Sequence, residues 1–189
     1  MTESRGPRGS GRFDITYYVA CSLDGFIADA EGRLDWLSPF EQTDEDYGYA
    51  AFYASVDAVV LGRSTFDFVR DTPDWPYEGK PTWVFSHASL GALPANAEAT
   101  SEEPAAFAER LRARGYRHVY FVGGGQLAAS FRAAGLITRY IVSVVPVILG
   151  GGVPMIGPGG GMERLELVGS EAFASGIVQM EYASASRTA

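Results

Sequence analysis

The 189-residue chain predicts a single α/β domain: three layers, αβα, on a mostly parallel central sheet with a C-terminal antiparallel hairpin. Three observations carry this. Apolar, β-rich runs recur at 15–21, 56–61, 82–86, 119–122 and 140–149, nearly all continuous, as expected of strands covered on both faces. Helical patterns fall between them, and such alternation implies right-handed crossovers into one sheet. The last two runs, 164–168 and 177–182, flank a turn bearing Gly and Ser and read as a closing hairpin.

Residues 1–12, "MTESRGPRGSGR", are polar and rich in Gly, Pro and Arg, so a disordered tail is expected before a domain spanning 13–185. The tail lacks the apolar core of a secretion signal, and no run of about 18 apolar residues occurs, so a cytoplasmic, membrane-free protein is expected. Helices are expected at 44–55, 64–70, 103–114 and 126–134. The third starts after Ser101 with acidic residues, ends at Gly115, and spaces Phe107 and Leu111 four apart on one face. No internal repeat or linker divides the chain.

Composition narrows the function classes. A hydrophobic content of 47% suits a soluble globular domain with a real core. The net charge of −8 and a single lysine, Lys80, argue against a nucleic-acid surface, which needs clustered cations. Cys21 is the one cysteine, so no internal disulfide forms, and His87 and His118 lack a nearby cysteine with which to hold a metal.

Glycine-bearing turns carry the functional signal. In "VYFVGGGQLAASF", Gly123, Gly124 and Gly125 stand between a strand and a helix. Bare glycines there let backbone N–H groups approach an anion at a helix start, or they relieve a tight turn. The pattern is neither G-x-G-x-x-G nor a Walker A. "VVLGRSTFDFV" repeats the logic at Gly62, Arg63, Ser64 and Thr65. Arg63 offers a planar fork for a phosphate, while the hydroxyls of Ser64 and Thr65 donate to it or cap the helix. "WVFSHASL" ends a strand at Ser86 and His87, at the edge where open α/β sheets bind ligands, although a lone histidine reads equally as a surface turn residue. Asp24, beside Gly25, either caps a turn or shapes a substrate-side loop. Trp36, Tyr49 and Phe52 are core anchors or stacking surfaces, with Phe52 assigned to the core. The glycine-rich stretch 150–161 reads as a long flexible loop.

Together these strand ends resemble the dihydrofolate reductase superfamily. More closely, the chain is similar to the bacterial branch akin to the reductase half of the bifunctional riboflavin-biosynthesis deaminase-reductase. That branch carries S-x-D-G-x-I-A, G-R-x-T and P-V-x-L-G-G-G, which read here as Ser22 to Ala28, Gly62 to Thr65 and Pro146 to Gly152. The likeness runs from about residue 15 to residue 182.

The resemblance implies an NADPH-dependent reductase that passes a hydride to a small heterocycle, pterin- or riboflavin-precursor-like, and a homodimer. Arg63, Ser86 and His87 fall where the family binds the adenosine 2′-phosphate. Thr65 and Gly124, Gly125, Gln126 and Leu127 fall at the pyrophosphate, with Gly62, Ser64 and Gly123 in the same turns. Ala20 and Ile27 fall at the nicotinamide amide, and Asp24, Trp36 and Tyr49 on the substrate side. The peptide matching the family's cis Gly-Gly bond is Gly123-Gly124. Three positions depart from the pattern. Ala128 replaces an aromatic, Lys80 stands near the arginine that folate reductases use, and the acid is one of Glu41, Asp44, Glu45 and Asp46. The proton comes from water or from Asp46, the acid preferred because it precedes Tyr47-Gly48-Tyr49, and a buried carboxyl there needs a raised pKa to act at neutral pH. The alternatives are a non-catalytic nucleotide-binding module of the same fold and a dihydrofolate reductase proper.

Overall fold

The computed structural model describes residues 12–41, 45–72 and 74–185. The tail expected over residues 1–12 therefore lies, apart from Arg12, outside the described residues, as does Asp44. In chain order the strands are β1 (Asp14–Ser22), β2 (Phe26–Ala28), β3 (Ala58–Gly62), β4 (Thr82–Phe85), β5 (Ala97–Thr100), β6 (His118–Gly123), β7 (Arg139–Val145), β8 (Val153–Pro154), β9 (Leu165–Ala172) and β10 (Val178–Ser184). The helices are α1 (Ser38–Glu41), α2 (Tyr49–Ser55), α3 (Arg63–Val69), α4 (Pro104–Ala113) and α5 (Gly125–Ala133), with a 3-10 turn at Asp35–Leu37.

Eight strands form one sheet in the order β5-β4-β3-β6-β1-β7-β10-β9, and β2 pairs separately with β8. The strands from β5 to β7 are all parallel, whereas β10 runs antiparallel to both β7 and β9. This is the expected α/β class. Strands β3 and β4 are buried at every position, which is why their sequences are apolar at all but Thr82. On one face α4 and α5 press Phe107, Leu111, Ala128 and Phe131 against Ile15, Tyr17, Val119 and Phe121. On the other, α2 and α3 bring Phe52 and Phe66 against Tyr18, Val59, Leu61 and Tyr120. Each fully buried phenylalanine contributes roughly 1.5–3 kcal/mol of burial free energy.

Several boundaries differ from expectation for identifiable reasons. The helix expected at 44–55 is helical only from Tyr49, because Tyr47 and Gly48 both take left-handed backbone, at φ 54° and 79°. The strand expected to run to residue 149 stops at Val145, since Pro146 has no N–H for the ladder. Strand β5, "AEAT", lies at the sheet edge half in solvent and lacks an apolar run. Strands β2 and β8 are too short to leave a periodic signature.

The topology also opens a crevice. From β3 the chain turns into α3 on one face; from its neighbour β6 it turns into α5 on the other. Adjacent strands whose exits diverge leave space at their carboxyl ends, where ligands of open α/β sheets bind.

Candidate functional site

Gly62 and the glycines of β6 meet at that crevice. A Cβ on Gly62 would stand 3.5 Å from both the Gly123 carbonyl oxygen and the Gly124 nitrogen, and 3.6 Å from Leu127 Cβ. A Cβ on Gly124 would stand 3.6 Å from the Thr65 hydroxyl. The Gly123-Gly124 peptide is cis, and Gly123 lies at φ 130°. Among the described residues no side chain caps the start of α3 or of α5. The first-turn N–H groups of α5 thus face the crevice without a side-chain acceptor.

Arg63 lies just above this junction. Its Nε pairs with Asp67, one helical turn on, and its Nη1 donates to the Ser89 carbonyl at 3.2 Å. The guanidinium thereby joins the start of α3 to the loop after β4. Within that loop the Ser86 hydroxyl donates to Ala88 O at 2.8 Å and accepts from Ala88 N at 3.1 Å. His87 is exposed beside it. Ser64 and Gln126 are exposed, while Thr65 and Leu127 are half-buried. Residues from three separate turns thus come together at one edge.

Ala20 and Ile27 are both half-buried, in β1 and β2. Between them Asp24 reaches across to the next loop, its carboxylate accepting from Leu149 N at 3.1 Å and Gly150 N at 2.7 Å. The Ser22 hydroxyl and these two amides hold its pKa below the usual carboxylate range. Asp24 is therefore a clamp between loops, beyond the local turn cap that its neighbour Gly25 suggests.

The stretch 150–161, expected to be flexible, is tied down along its length. Tyr17 OH donates to Met155 O at 2.7 Å, Met155 N to Gly25 O at 2.9 Å, and Gly157 N to Gly125 O at 2.8 Å. Arg132 donates to the carbonyls of Gly159 and Gly161. A Cβ on Gly125 would collide with Pro154 O, and one on Gly152 with Ala28 O. These glycines serve close backbone packing.

Asp46 corrects the expectation of a buried acid. Its carboxylate is exposed and accepts from Gly48 N at 2.9 Å and Ala50 N at 3.1 Å, bonds that lower its pKa. It accepts at the start of α2, exposed and with a lowered pKa, where the expectation was a buried carboxyl with a raised one. Lys80 is engaged too, donating to Val56 O at 2.8 Å and lying 5.6 Å over the Tyr53 ring. Tyr49 packs among Tyr18, Phe52, Tyr53 and Tyr120, and burial pushes its pKa up to about 12. Trp36 is half-buried, and its indole N–H is sealed from solvent with no acceptor among the described residues. Ala128 is fully buried against the sheet. A cavity of about 440 Å³ opens at the opposite, amino edge, lined by Lys80, Trp83, Asn96, Glu98 and Arg114, with neither Gly62 nor Gly123–Gly125 in its lining.

One buried polar group has no counterpart in the sequence reading. Gln179 Nε2 donates to Tyr18 OH at 2.9 Å, Ser143 Oγ at 3.0 Å and Tyr47 O at 3.1 Å, while Tyr18 OH donates to Tyr47 O at 2.8 Å. This network holds Tyr47 in its left-handed conformation, which a bulky residue seldom adopts unaided. The available signal was a glutamine and a serine set within the otherwise apolar runs "IVQM" and "YIVSVV".

With this geometry in place, comparison with known proteins gives a consistent picture. The uncharacterized protein YwjB of Bacillus subtilis (strain 168) is 36% identical over 169 residues, spanning 89% of this chain and 96% of that protein. The crystal structure of a putative riboflavin biosynthesis protein from Shewanella sp. PV-4 superposes with a TM-score of 0.84 at 30% identity, covering 92% of this chain and 99% of that one. A deaminase/5-amino-6-(5-phosphoribosylamino)uracil reductase from Thermotoga maritima shares the fold, at a TM-score of 0.70 and 16% identity over 92% of this chain and 57% of that one. The family model described as the RibD C-terminal domain matches residues 14–179. Its span takes in β1, both glycine turns and Gln179, so the chain belongs to the RibD C-terminal domain family, with a reductase-type fold.

Proposed function

We infer that the chain is an NADPH-dependent reductase acting on a small heterocycle. One observation carries this reading. Gly62, Thr65, Gly124 and Leu127, from two turns far apart in sequence, lie within van der Waals reach, and Arg63 bridges to the Ser86–Ser89 loop above them. That cradle suits a pyrophosphate with a further phosphate beyond it. The bare backbone of Gly62 and Gly124 allows close approach, the uncapped start of α5 favours negative charge, and Arg63 supplies a charged donor. Bound there, NADPH would supply a hydride for a C=N or C=O bond.

The chain's own contribution is mainly positional. Well-oriented reactants can gain up to about 7–11 kcal/mol over free encounter. Ala20 and Ile27 would receive the nicotinamide amide, while Asp24 fixes the neighbouring loop. With Asp46 serving as a cap, the proton that follows the hydride comes from water. The exposed edge strand β9, with Leu167 60% and Val168 54% exposed, supports a homodimer in which a second copy covers that edge.

Titration with NADPH, followed by loss of reduced-nicotinamide absorbance against pterins and flavin precursors, tests the reading. Tight NADPH binding with turnover supports it, and no binding at millimolar cofactor defeats it. Binding without turnover on any acceptor favours a nucleotide-binding module, a reading to which the capped Asp46 gives weight.

A further inference from the structure

Strand register places three residues in one rank across the sheet. Ala20 of β1 is opposite Ser143 of β7, and Ser143 is opposite Gln179 of β10. Partners in adjacent strands point to the same face, and the 3.0 Å bond between Gln179 Nε2 and Ser143 Oγ shows that these two do. Ser143 is 6% exposed and Gln179 is 9% exposed. Both are polar, both are sunk in the sheet, and both stand beside the strand position expected to meet the nicotinamide.

The hydrogen bonds fix the orientation of the amide. Tyr47 O can only accept, so the atom facing it at 3.1 Å is the amide nitrogen and the Gln179 oxygen is turned away. Among the described residues nothing donates to that oxygen, and nothing accepts from the Ser143 hydroxyl. Among the described residues the sealed polar atoms without a partner are Trp36 Nε1, Trp75 Nε1 and Arg132 Nε, so the unpartnered Gln179 oxygen keeps some exposure. Ser143 Oγ, which accepts from Gln179 Nε2, keeps its own hydrogen for a further acceptor. The pair thus offers one acceptor, the Gln179 oxygen, and one donor, the Ser143 hydroxyl.

We propose that Gln179 and Ser143 determine substrate specificity by reading a cyclic amide edge. The ring N–H donates to Gln179 Oε1, and the adjacent ring carbonyl accepts from the Ser143 hydroxyl. Tyr18 OH, the Tyr47 carbonyl and Ser143 Oγ share the two N–H groups and hold the amide in this orientation. The inference rests on the reductase reading for its placement, and it adds the chemical feature that the substrate must carry. A ring lacking an N–H beside its carbonyl leaves the Gln179 oxygen unpaired, and such mismatches reject a ligand more strongly than shape alone.

The test compares lumazine, which carries such edges, with 1,3-dimethyllumazine, which keeps both carbonyls but has no ring N–H. Affinities are measured with and without NADPH in mildly acidic buffer that keeps both probes neutral. The wild-type chain is expected to prefer lumazine by about tenfold, and Gln179→Leu to remove the preference while leaving NADPH affinity unchanged. Because Gln179→Leu also frees Tyr47, Ser143→Ala, which keeps the bonds of Gln179 to Tyr18 and Tyr47, is measured in parallel and should weaken lumazine by a similar factor. Equal binding of both probes to the wild type, binding of neither, or a preference that survives in both variants overturns the proposal. Any of these outcomes alongside intact NADPH binding leaves the reductase reading standing. Absent NADPH binding defeats that reading alone, since the probe ratio without cofactor still decides the role of Gln179.

Discussion

Arg63 donates to the carbonyl of Ser89 across 26 positions of sequence, fastening the start of α3 to the loop that follows β4. The guanidinium is further steadied by Asp67, so its plane is fixed before any ligand arrives. A preset charged donor loses little entropy on binding a phosphate. Arg63→Ala is therefore expected to weaken NADPH by about 10- to 100-fold, the range for a lost charged hydrogen bond, and NADH by less than about threefold. Dissociation constants from cofactor fluorescence check this. Equal losses for both cofactors would remove Arg63 from the 2′-phosphate.

Gly125 offers a sharper structural test. Its backbone lies so close to Pro154 that a Cβ would collide with the Pro154 carbonyl oxygen, whereas Gly151 has nothing within 4 Å and no left-handed backbone. Gly125→Ala must push the 153–157 segment away from α5, and a cost of about 1–3 kcal/mol is expected, as for other overpacked sites. Gly151→Ala should change stability by less than about 0.5 kcal/mol. Chemical denaturation of the two variants compares them directly.

Much of the fold was legible because burial writes itself into sequence. The runs ending at Leu61 and Phe85 are apolar but for Thr82 since helices cover both faces of β3 and β4, and Gly62 and Gly123 mark where β3 and β6 turn toward the crevice. Long-range polar placement left no comparable trace. The Asp24 carboxylate spans 126 positions to Gly150, and Gln179 spans 161 to Tyr18. Neither partnership has a period or spacing to betray it. Local reading also favoured Asp46 as an acid, since nothing in "DEDYGY" reveals that its carboxylate already serves Gly48 and Ala50.

That correction has a kinetic consequence. If Asp46 only caps α2, Asp46→Asn keeps one of the two acceptor oxygens that Gly48 N and Ala50 N use, and asparagine is as good a cap as aspartate. Turnover near neutral pH should stay within about twofold of wild type, and the pH-rate profile should keep its shape. A loss of about a hundredfold, the lower end of a general acid's contribution, would return Asp46 to the proton-transfer step.

Cys21 is buried, and burial raises its thiol pKa to about 11, with Asp24 adding a smaller upward push. The nucleophile in thiol chemistry is the thiolate, so alkylation at neutral pH should be negligible while the chain is folded. Labelling across a denaturant series should track the global unfolding transition. Fast labelling well below the midpoint would reveal local opening of β1.

The Asp24 clamp makes acid sensitivity specific to the substrate-side loops. Its pKa is depressed in the folded chain by the Ser22 hydroxyl and by the Leu149 and Gly150 amides. A depressed folded pKa gives stabilisation that is fully present above the unfolded value, near 3.9, and lost as pH falls through the lower folded value. Between neutrality and about pH 5, a range lying above both values, this contribution should be flat. In more acid solution, protonation removes an acceptor from Leu149 and Gly150, and amide exchange at these two positions should rise before the central strands open. Asp24→Asn keeps one acceptor oxygen and removes the charge, so it should speed exchange at the two amides at neutral pH and abolish the acid step there. Exchange rates at Leu149 and Gly150 that ignore both the substitution and the pH would show that the loop is held by Leu23 N to Val147 O, the neighbouring backbone bond, without help from the carboxylate.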